Sequence, residues 1–160
     1  MSIQVTLLPD AEPRARHVAI GTFDGVHRGH QAVIEGADTV LTFDPHPLEV
    51  LHPAALPKLI MPFGVKRDVI EGLGVRELVV IPFDQEFARR SAEQFVEGVL
   101  VERLGAERVS VGENFRFGAK AQGDPAMLKR HPEFETRVVP LVEVDGETVS
   151  STRIRALVAA

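Results

Sequence analysis

Five apolar, mostly β-branched runs alternate with helix-like segments along this chain of 160 residues. They cover residues 17–23, 39–43, 77–83, 108–112 and 136–144. Strands of a parallel sheet are buried on both faces, so they show continuous apolar runs rather than an apolar–polar alternation. Strands that alternate with helices build such a sheet. The sequence therefore predicts an α/β fold, an open parallel sheet with helices on both faces.

Helices are predicted over residues 26–36, 65–73, 91–104, 125–130 and 151–158. The third has the clearest bounds, because Ser91 and Gln94 form a capping box at its start and Gly105 supplies a stop. Asp145 and Gly146 lie between two short β-branched segments and predict a tight hairpin. The length suits one domain, and we expect residues 1–160 to form it.

Composition excludes several classes of protein. A formal net charge of −5 argues against general nucleic-acid binding, which needs a basic surface. The absence of cysteine excludes disulfides, thiolate zinc sites and a cysteine nucleophile. No apolar run approaches the ~20 residues of a membrane span, and no signal segment is recognisable. We expect a cytoplasmic protein without a membrane partner, and the sequence predicts no oligomeric state.

A glycine-rich turn follows the first apolar run, and a helix that carries two histidines follows the turn. His27 and His30 are three residues apart, so they share one face of the first helical turn. Unpaired backbone N–H groups and the positive end of the helix dipole lie there, which suits a polyphosphate. The pattern is neither a P-loop nor a dinucleotide fingerprint. Gly21 and Gly29 suit a backbone that a ligand approaches closely.

Other interpretations of the histidine pair stay open. His46 and His52 could complete a metal site, although metal sites usually show fixed ligand spacing and supporting carboxylates. The two imidazoles could also be hydrogen-bonded on a helix face without a ligand.

Three of the apolar runs end in a Phe-Asp pair. Ligands of open parallel sheets bind outside the carboxyl ends of the strands, so these pairs would surround that crevice. In the alternative interpretation, phenylalanine seals the end of the sheet and aspartate caps the next helix. We favour capping for Asp84, whereas the neighbouring histidines favour a binding role for Asp24 and Asp44.

Two further segments follow predicted strands. His46 lies between two prolines, which stiffen its backbone and remove competing N–H donors, unless the segment is only a rigid turn. Phe115 and Phe117 would point to the same side if extended, with Arg116 opposite. Two exposed rings could receive a flat heterocycle, and burial of either ring in the core is the alternative.

Hydroxyl groups and arginines are concentrated near the C-terminus. Ser151 and Thr152 at a predicted helix start, followed by Arg153 and Arg155, would form an anion site. Ordinary helix capping explains one hydroxyl but not the whole group.

Four blocks together resemble the nucleotidylyltransferase superfamily and, more closely, the FMN adenylyltransferase module of prokaryotic bifunctional FAD synthetases. The blocks are Gly-Thr-Phe-Asp-Gly-Val-His-Arg-Gly-His, Thr-Phe-Asp-Pro-His-Pro, Val-Gly-Glu-Asn-Phe-Arg-Phe-Gly and Ser-Ser-Thr-Arg-Ile-Arg. The resemblance implies transfer of AMP from ATP to FMN with Mg2+ as cofactor, giving FAD and pyrophosphate. It also implies the nucleotidylyltransferase type of Rossmann-like sheet.

The resemblance also implies roles for residues. His27 and His30 would contact the ATP phosphates. Ser151, Thr152 and Arg153 would hold the β- and γ-phosphates. Asn114 and His46 would contact the ligand. The predicted catalytic residues are His27, His30 and Arg153. The predicted binding residues are Gly21, Thr22, Phe23, Asp24, Gly29, His46, Asn114, Phe115, Phe117, Ser151, Thr152 and Arg155.

The chain departs from the family pattern in two ways. The riboflavin kinase module of the bifunctional enzymes is absent from the sequence, which stops at Ala160, so we expect either a protein that uses FMN made elsewhere or a truncated piece of a longer enzyme. The helix after His30 is shorter than usual, which predicts altered packing beside the site.

Two alternative functions stay open. One is a nucleotidylyltransferase for another acceptor, such as phosphopantetheine, nicotinate mononucleotide or glycerol phosphate. The other is a degenerate module that binds flavin or adenine nucleotide without turnover.

Overall fold

The structure, a computed structural model, describes residues 3–21, 23, 28–44, 54, 63–140, 142–144 and 147–149. One sheet contains six strands, in chain order β1 (Gln4–Leu7), β2 (Arg16–Ile20), β3 (Thr39–Phe43), β4 (Glu77–Ile81), β5 (Ala106–Gly112) and β6 (Glu135–Val139). The order across the sheet is β1-β4-β3-β2-β5-β6, and all neighbouring strands are parallel. The predicted open parallel sheet is confirmed.

Helices connect these strands. They are α1 (Arg28–Ile34), α2 (Phe63–Gly72), α3 (Gln85–Ala88), α4 (residues 92–103) and α5 (Pro125–Lys129), with single 3₁₀ turns at Leu8–Asp10 and Ala119–Ala121. The predicted capping box at the start of α4 is present: Ser91 Oγ accepts from Gln94 N at 3.1 Å, and Ser91 N donates to Gln94 Oε1 at 2.9 Å. Beyond Gln94 the helix is wound more widely, with i→i+5 hydrogen bonding over Phe95–Arg103. Gly105, at φ +67°, ends it as predicted.

Apolar side chains fill both faces of the sheet. Along β2, Val18 and Ile20 belong to the core that packs against α4, whereas Ala19 points to the opposite core, which contains Val33 and Ile34 of α1. Because both faces are covered, the strand has no polar alternation. This explains why continuous apolar runs were the correct signal for the fold.

Several predicted boundaries were wrong. The first run leaves the strand conformation at Ile20 rather than at residue 23. The run 136–144 divides at Pro140, which has no N–H to donate to a ladder: β6 ends before it, and β7 (Val142–Val144) pairs antiparallel with β8 (Glu147–Val149). That pairing confirms the predicted hairpin, whose turn residues lie outside the described residues. The predicted helix over 151–158 also lies outside them.

Strand β1 was not predicted from the sequence. It is short, it lies at the edge of the sheet, and it pairs only with β4. Its side chains are mostly exposed, so they carry neither a continuous apolar run nor a clear alternation.

Candidate functional site

The strand order creates a switch point at the middle of the sheet. From β2 the chain proceeds to β3 and β4 on one side, and it then crosses to β5 on the other side of β2. In open parallel sheets a ligand crevice forms outside the carboxyl ends of the strands at such a point. The segments that follow β2 and β5 flank it, namely the turn after Ile20 and the loop after Gly112. Both segments contain residues that the sequence predicted for binding.

Two residues after β2, Gly21 and Phe23, are held by contacts within the protein. Gly21 N continues the ladder by donating to Leu41 O at 3.1 Å. Phe23 has a positive φ of 54°, which is unusual for a bulky residue, and its side chain is only 2% exposed. A Cβ on Gly21 would lie 3.0 Å from the ring of Phe23. The close approach predicted for a ligand at Gly21 is therefore made here by Phe23.

A non-glycine residue in the left-handed region costs about 1–3 kcal/mol and persists only where its surroundings enforce it. Such strain is concentrated at functional sites. The buried ring of Phe23 supplies that enforcement, because it belongs to the core between the sheet and α1. Gly21 and Phe23 are thus fixed by the protein's own packing next to the switch point.

The phenylalanines of the three Phe-Asp pairs are buried, and one of the aspartates, Asp84, caps a helix. Phe23, Phe43 and Phe83 are all buried, and the last two meet edge to face with centroids 5.9 Å apart. Asp84 caps α3 by accepting from Phe87 N at 2.7 Å, as predicted. Asp44 is exposed, and its backbone N–H donates to Ile81 O.

The loop after β5 is closed and anchored at several points. Phe117 and Gly123 exchange both backbone hydrogen bonds, at 3.2 and 2.8 Å. Gly118, at φ +79°, lies so close to α4 that a Cβ would be 2.6 Å from Ala92 Cα. Ala119 N donates to Arg90 O at 2.8 Å. These contacts anchor residues 117–123, which follow Asn114 and Phe115, against the start of α4 and Arg90.

The two rings of this loop differ in exposure. Phe115 and Phe117 lie on the same side and stack with centroids 5.7 Å apart and planes 20° apart. Phe117 is only 5% exposed and also contacts Phe95, so burial in the core, one of the two interpretations of the sequence, holds for this ring. Phe115 is half-buried, and Asn114 beside it is exposed. In this structure an open face for a flat ligand can come from Phe115 but not from Phe117.

Helix α1 contains seven residues, and His30 is its third. Gly29 and His30 lie in its first turn, while Val33 and Ile34 in its last turn are buried in the core. The helix contacts β2, β5 and β6. Its C-terminal end at Ile34 comes two residues before the predicted end at residue 36, and the start of the predicted range lies outside the described residues. The helix packs on the sheet beside the switch point.

Several predicted site residues lie outside the described residues. They are Thr22, Asp24, His27, His46, Ser151, Thr152, Arg153 and Arg155. The convergence of the imidazoles with the C-terminal arginines therefore stays a prediction. Within the described ranges, no group of three or more His, Asp or Glu side chains could hold a metal ion.

Among the described residues, a buried charge cluster lies at the other end of the sheet. Arg16 at the start of β2 and Glu77 at the start of β4 are 1% and 3% exposed. Arg16 Nε donates to Glu77 Oε1 at 2.9 Å, and Arg16 Nη1 donates to the carbonyls of Glu12 and Leu104. Sequence reasoning missed this pair, although a charged residue within an apolar strand was a visible signal.

Burial raises the pKa of Glu77, but the hydrogen bonds and the charge of Arg16, with contributions from Thr6 and Arg14, outweigh burial and hold that pKa below its ordinary value. A carboxylate kept ionised by fixed partners, at the amino ends of the strands, cannot act on a ligand at their carboxyl ends. The cluster is structural.

Comparison with known proteins gives consistent results. The family described as FAD synthetase matches residues 10–153. A Geobacillus thermodenitrificans protein named for riboflavin kinase and FMN adenylyltransferase is 38% identical over 152 residues, covering 88% of this chain and 81% of the relative. The bifunctional riboflavin kinase/FMN adenylyltransferases of Pseudomonas fluorescens and Escherichia coli K12 are 35% and 31% identical, over 93% and 89% of this chain. This chain spans about half of their lengths, 52% and 50%.

Among solved structures, a Streptococcus pneumoniae protein named macrolide-efflux protein has a similar fold. The TM-score is 0.80 at 28% identity, and the match covers 98% of this chain and 56% of the other. The name belongs to that protein. In the part of this chain that the structure describes, no helix is both long and apolar enough to cross a membrane.

Proposed function

The chain belongs to the FAD synthetase family, and from this membership we propose that it transfers AMP from ATP to FMN, forming FAD and pyrophosphate. The observation that carries the proposal is the family match over residues 10–153, which includes the turn after β2 and the loop after β5. These two segments flank the switch point of the sheet, where ligands of this fold class bind.

The proposed reaction needs positioning more than proton transfer. A phosphate oxygen of FMN, already anionic at neutral pH, attacks the α-phosphorus of ATP. A new P–O bond forms, the bond between the α-phosphorus and the bridging oxygen breaks, and pyrophosphate leaves with the electron pair. Alignment of the reactants and stabilisation of the phosphoryl oxygens then account for catalysis.

Residue roles within the proposal follow the sequence pattern. His27 and His30 contact ATP phosphates, and Ser151, Thr152 and Arg153 hold the β- and γ-phosphates, with Arg155 nearby. His46 is assigned to ligand contact at the end of β3. The position of His30 in the first turn of α1, beside the switch point, supports its part in this assignment.

The flavin side of the proposal relies on the loop after β5. Asn114 is exposed there, and Phe115 leaves part of its ring open. The buried ring of Phe117 stacks on one face of the Phe115 ring. We propose that the flavin or adenine ring lies against Phe115 and that Asn114 donates or accepts a hydrogen bond at its edge.

The proposal includes Mg2+, which would neutralise charge on the phosphate oxygens of ATP when bound. The described residues contain no three-ligand group for it, and the proposal requires none, because Mg2+ is commonly held through substrate phosphates and water. Location in the cytoplasm stays a prediction from the sequence.

The two alternative functions are not favoured. The relatives are named for FMN rather than for phosphopantetheine, nicotinate mononucleotide or glycerol phosphate. Their names also describe an adenylyltransferase rather than a protein that only binds nucleotide.

One experiment tests the function. The chain is incubated with ATP, Mg2+ and FMN, and FAD is separated from FMN by chromatography while pyrophosphate is measured. Parallel reactions contain phosphopantetheine or nicotinate mononucleotide in place of FMN. Equal amounts of FAD and pyrophosphate support the proposal. Pyrophosphate with another acceptor only, or calorimetric binding of FMN and ATP without pyrophosphate, would refute it.

A further inference from the structure

Helix α1 has an unusual anchor at its C-terminal end. Arg137 lies on β6, and its Nη1 donates to Ala32 O and to Glu35 O, both at 3.2 Å. The carbonyls of a last helical turn have no partner within the helix, so a guanidinium there satisfies groups that would otherwise need water. The positive charge also interacts favourably with the negative end of the helix dipole.

The sheet register directs Arg137 to this helix. Val139, two residues further along β6, belongs to the core that contains Val33 and Ile34 of α1. Alternate residues of a strand share a face, so Arg137 lies on the same side as α1. Its strand partner is Ser110 on β5, two residues before that strand ends at Gly112.

A helix of seven residues depends on such contacts. Isolated helices of this length are not stable in water, so α1 is maintained by its packing. Gly36, at φ +82°, ends the helix at once, and no further turn follows that could bury additional side chains. Val33, Ile34 and the two hydrogen bonds from Arg137 therefore hold its last turn.

We propose that Arg137 is a positioning residue for adenylyl transfer: by holding the last turn of α1 it fixes His30, which lies two residues before Ala32. This proposal rests on the proposed function, in which His30 contacts ATP. Arg137 itself touches no substrate. Its effect on the reaction passes through the orientation of α1.

The test compares three variants in steady-state FAD formation, at a temperature well below each melting temperature. Arg137→Met keeps much of the apolar stem and removes the donors. Arg137→Lys keeps a charge and donors. Arg108→Met is the matched control on β5: the Arg108 side chain is 41% exposed and forms an ion pair at 3.8 Å with Glu135.

We expect Arg137→Met to lower kcat about 10- to 100-fold, with a smaller change in KM for FMN, because small misplacements of catalytic groups cost that much. Arg137→Lys should recover part of the loss, since its ammonium can still donate to a carbonyl. Arg108→Met should behave as the unmodified protein. A kcat for Arg137→Met within twofold of the control would overturn the proposal, as would equal losses in Arg137→Met and Arg108→Met.

Amide hydrogen exchange of residues 30–35 provides a readout that is independent of activity. We expect faster amide exchange of these residues in Arg137→Met than in Arg108→Met. Amide exchange in the strands of the sheet should be the same in both variants. Unchanged exchange would refute the anchoring role even if activity fell.

If the unmodified protein formed no FAD, the proposed function would fail, and the exchange measurement would still decide whether Arg137 holds α1. Should Arg137→Met fail to fold, Arg137→Lys compared with Arg108→Met decides the same question.

Discussion

The buried pair at the amino ends of the strands allows a quantitative prediction. Glu77→Gln removes the charge that compensates Arg16, which is 1% exposed and cannot turn to solvent. Breaking one partner of a buried ion pair costs about 3–5 kcal/mol. For a domain of this size, each kcal/mol lowers the melting temperature by roughly 2–4 °C, so we expect a decrease of about 6–20 °C.

Differential scanning fluorimetry and urea unfolding measure this change. The control is Glu135→Gln, whose partner Arg108 is partly exposed and whose ion pair spans 3.8 Å. Exposed pairs contribute at most about 1 kcal/mol, so this variant should unfold almost as the unmodified protein does. A loss below about 1 kcal/mol for Glu77→Gln would contradict our account of the buried pair.

The same pair predicts a pH dependence. Arg16 and its neighbours hold the pKa of Glu77 below the value of the unfolded chain. The stabilisation is therefore complete above the unfolded pKa and is lost as the pH falls through the folded pKa. The difference in free energy of unfolding between the unmodified protein and Glu77→Gln should be constant near neutral pH and should shrink below about pH 4. A difference that grew in acid would refute the assignment.

Because this pair lies at the end of the sheet opposite the switch point, Glu77→Gln should keep kcat for FAD formation when it is assayed well below its melting temperature. A large loss of kcat in a fully folded sample would show that the two ends of the sheet are coupled.

The remaining predictions concern the site. Gly118→Ala should lower the free energy of unfolding by about 2–4 kcal/mol and weaken FMN binding, because the new Cβ would collide with α4 and the residue has a positive φ. Gly72→Ala is the control, because a Cβ at that helical position meets open space. Urea unfolding and calorimetry measure both effects, and equal behaviour of the two variants would refute the anchoring of the loop. His30→Ala and Arg153→Ala should each lower kcat about 10²–10³-fold with normal circular dichroism. Near-normal turnover of either variant would remove that residue from the proposed machinery.

Local patterns predicted much of the fold. Continuous apolar runs identified five of the parallel strands, because burial on both faces removes polar alternation. The capping box at Ser91 and the stop at Gly105 depend only on neighbouring residues, and both were correct. The edge strand β1 was missed, because an exposed strand carries no such pattern.

For the candidate site, the sequence indicated chain segments but not how their side chains pack. Sequence indicated which segments follow the central strands, and the parallel topology places those segments at one edge. It could not decide which ring of the loop is buried, because Phe115 and Phe117 have the same local spacing and differ only in what packs on them. Phe117 is covered by Phe95, which is distant in the chain, and by Gly123, which lies across the turn of the same loop.

The amino-acid sequence by itself determined the α/β class, the capping box at Ser91 and the helix stop at Gly105, since these follow from periodicity and neighbouring side chains. It also supplied the candidate residues for phosphate and ring binding. Only the tertiary structure decided that Phe23 occupies the space beside Gly21, that Arg16 pairs with Glu77, and that Arg137 anchors α1. Each of these contacts joins segments that are separated in the chain or folded back on themselves. Their geometry depends on how the sheet and helices pack, which no local pattern encodes.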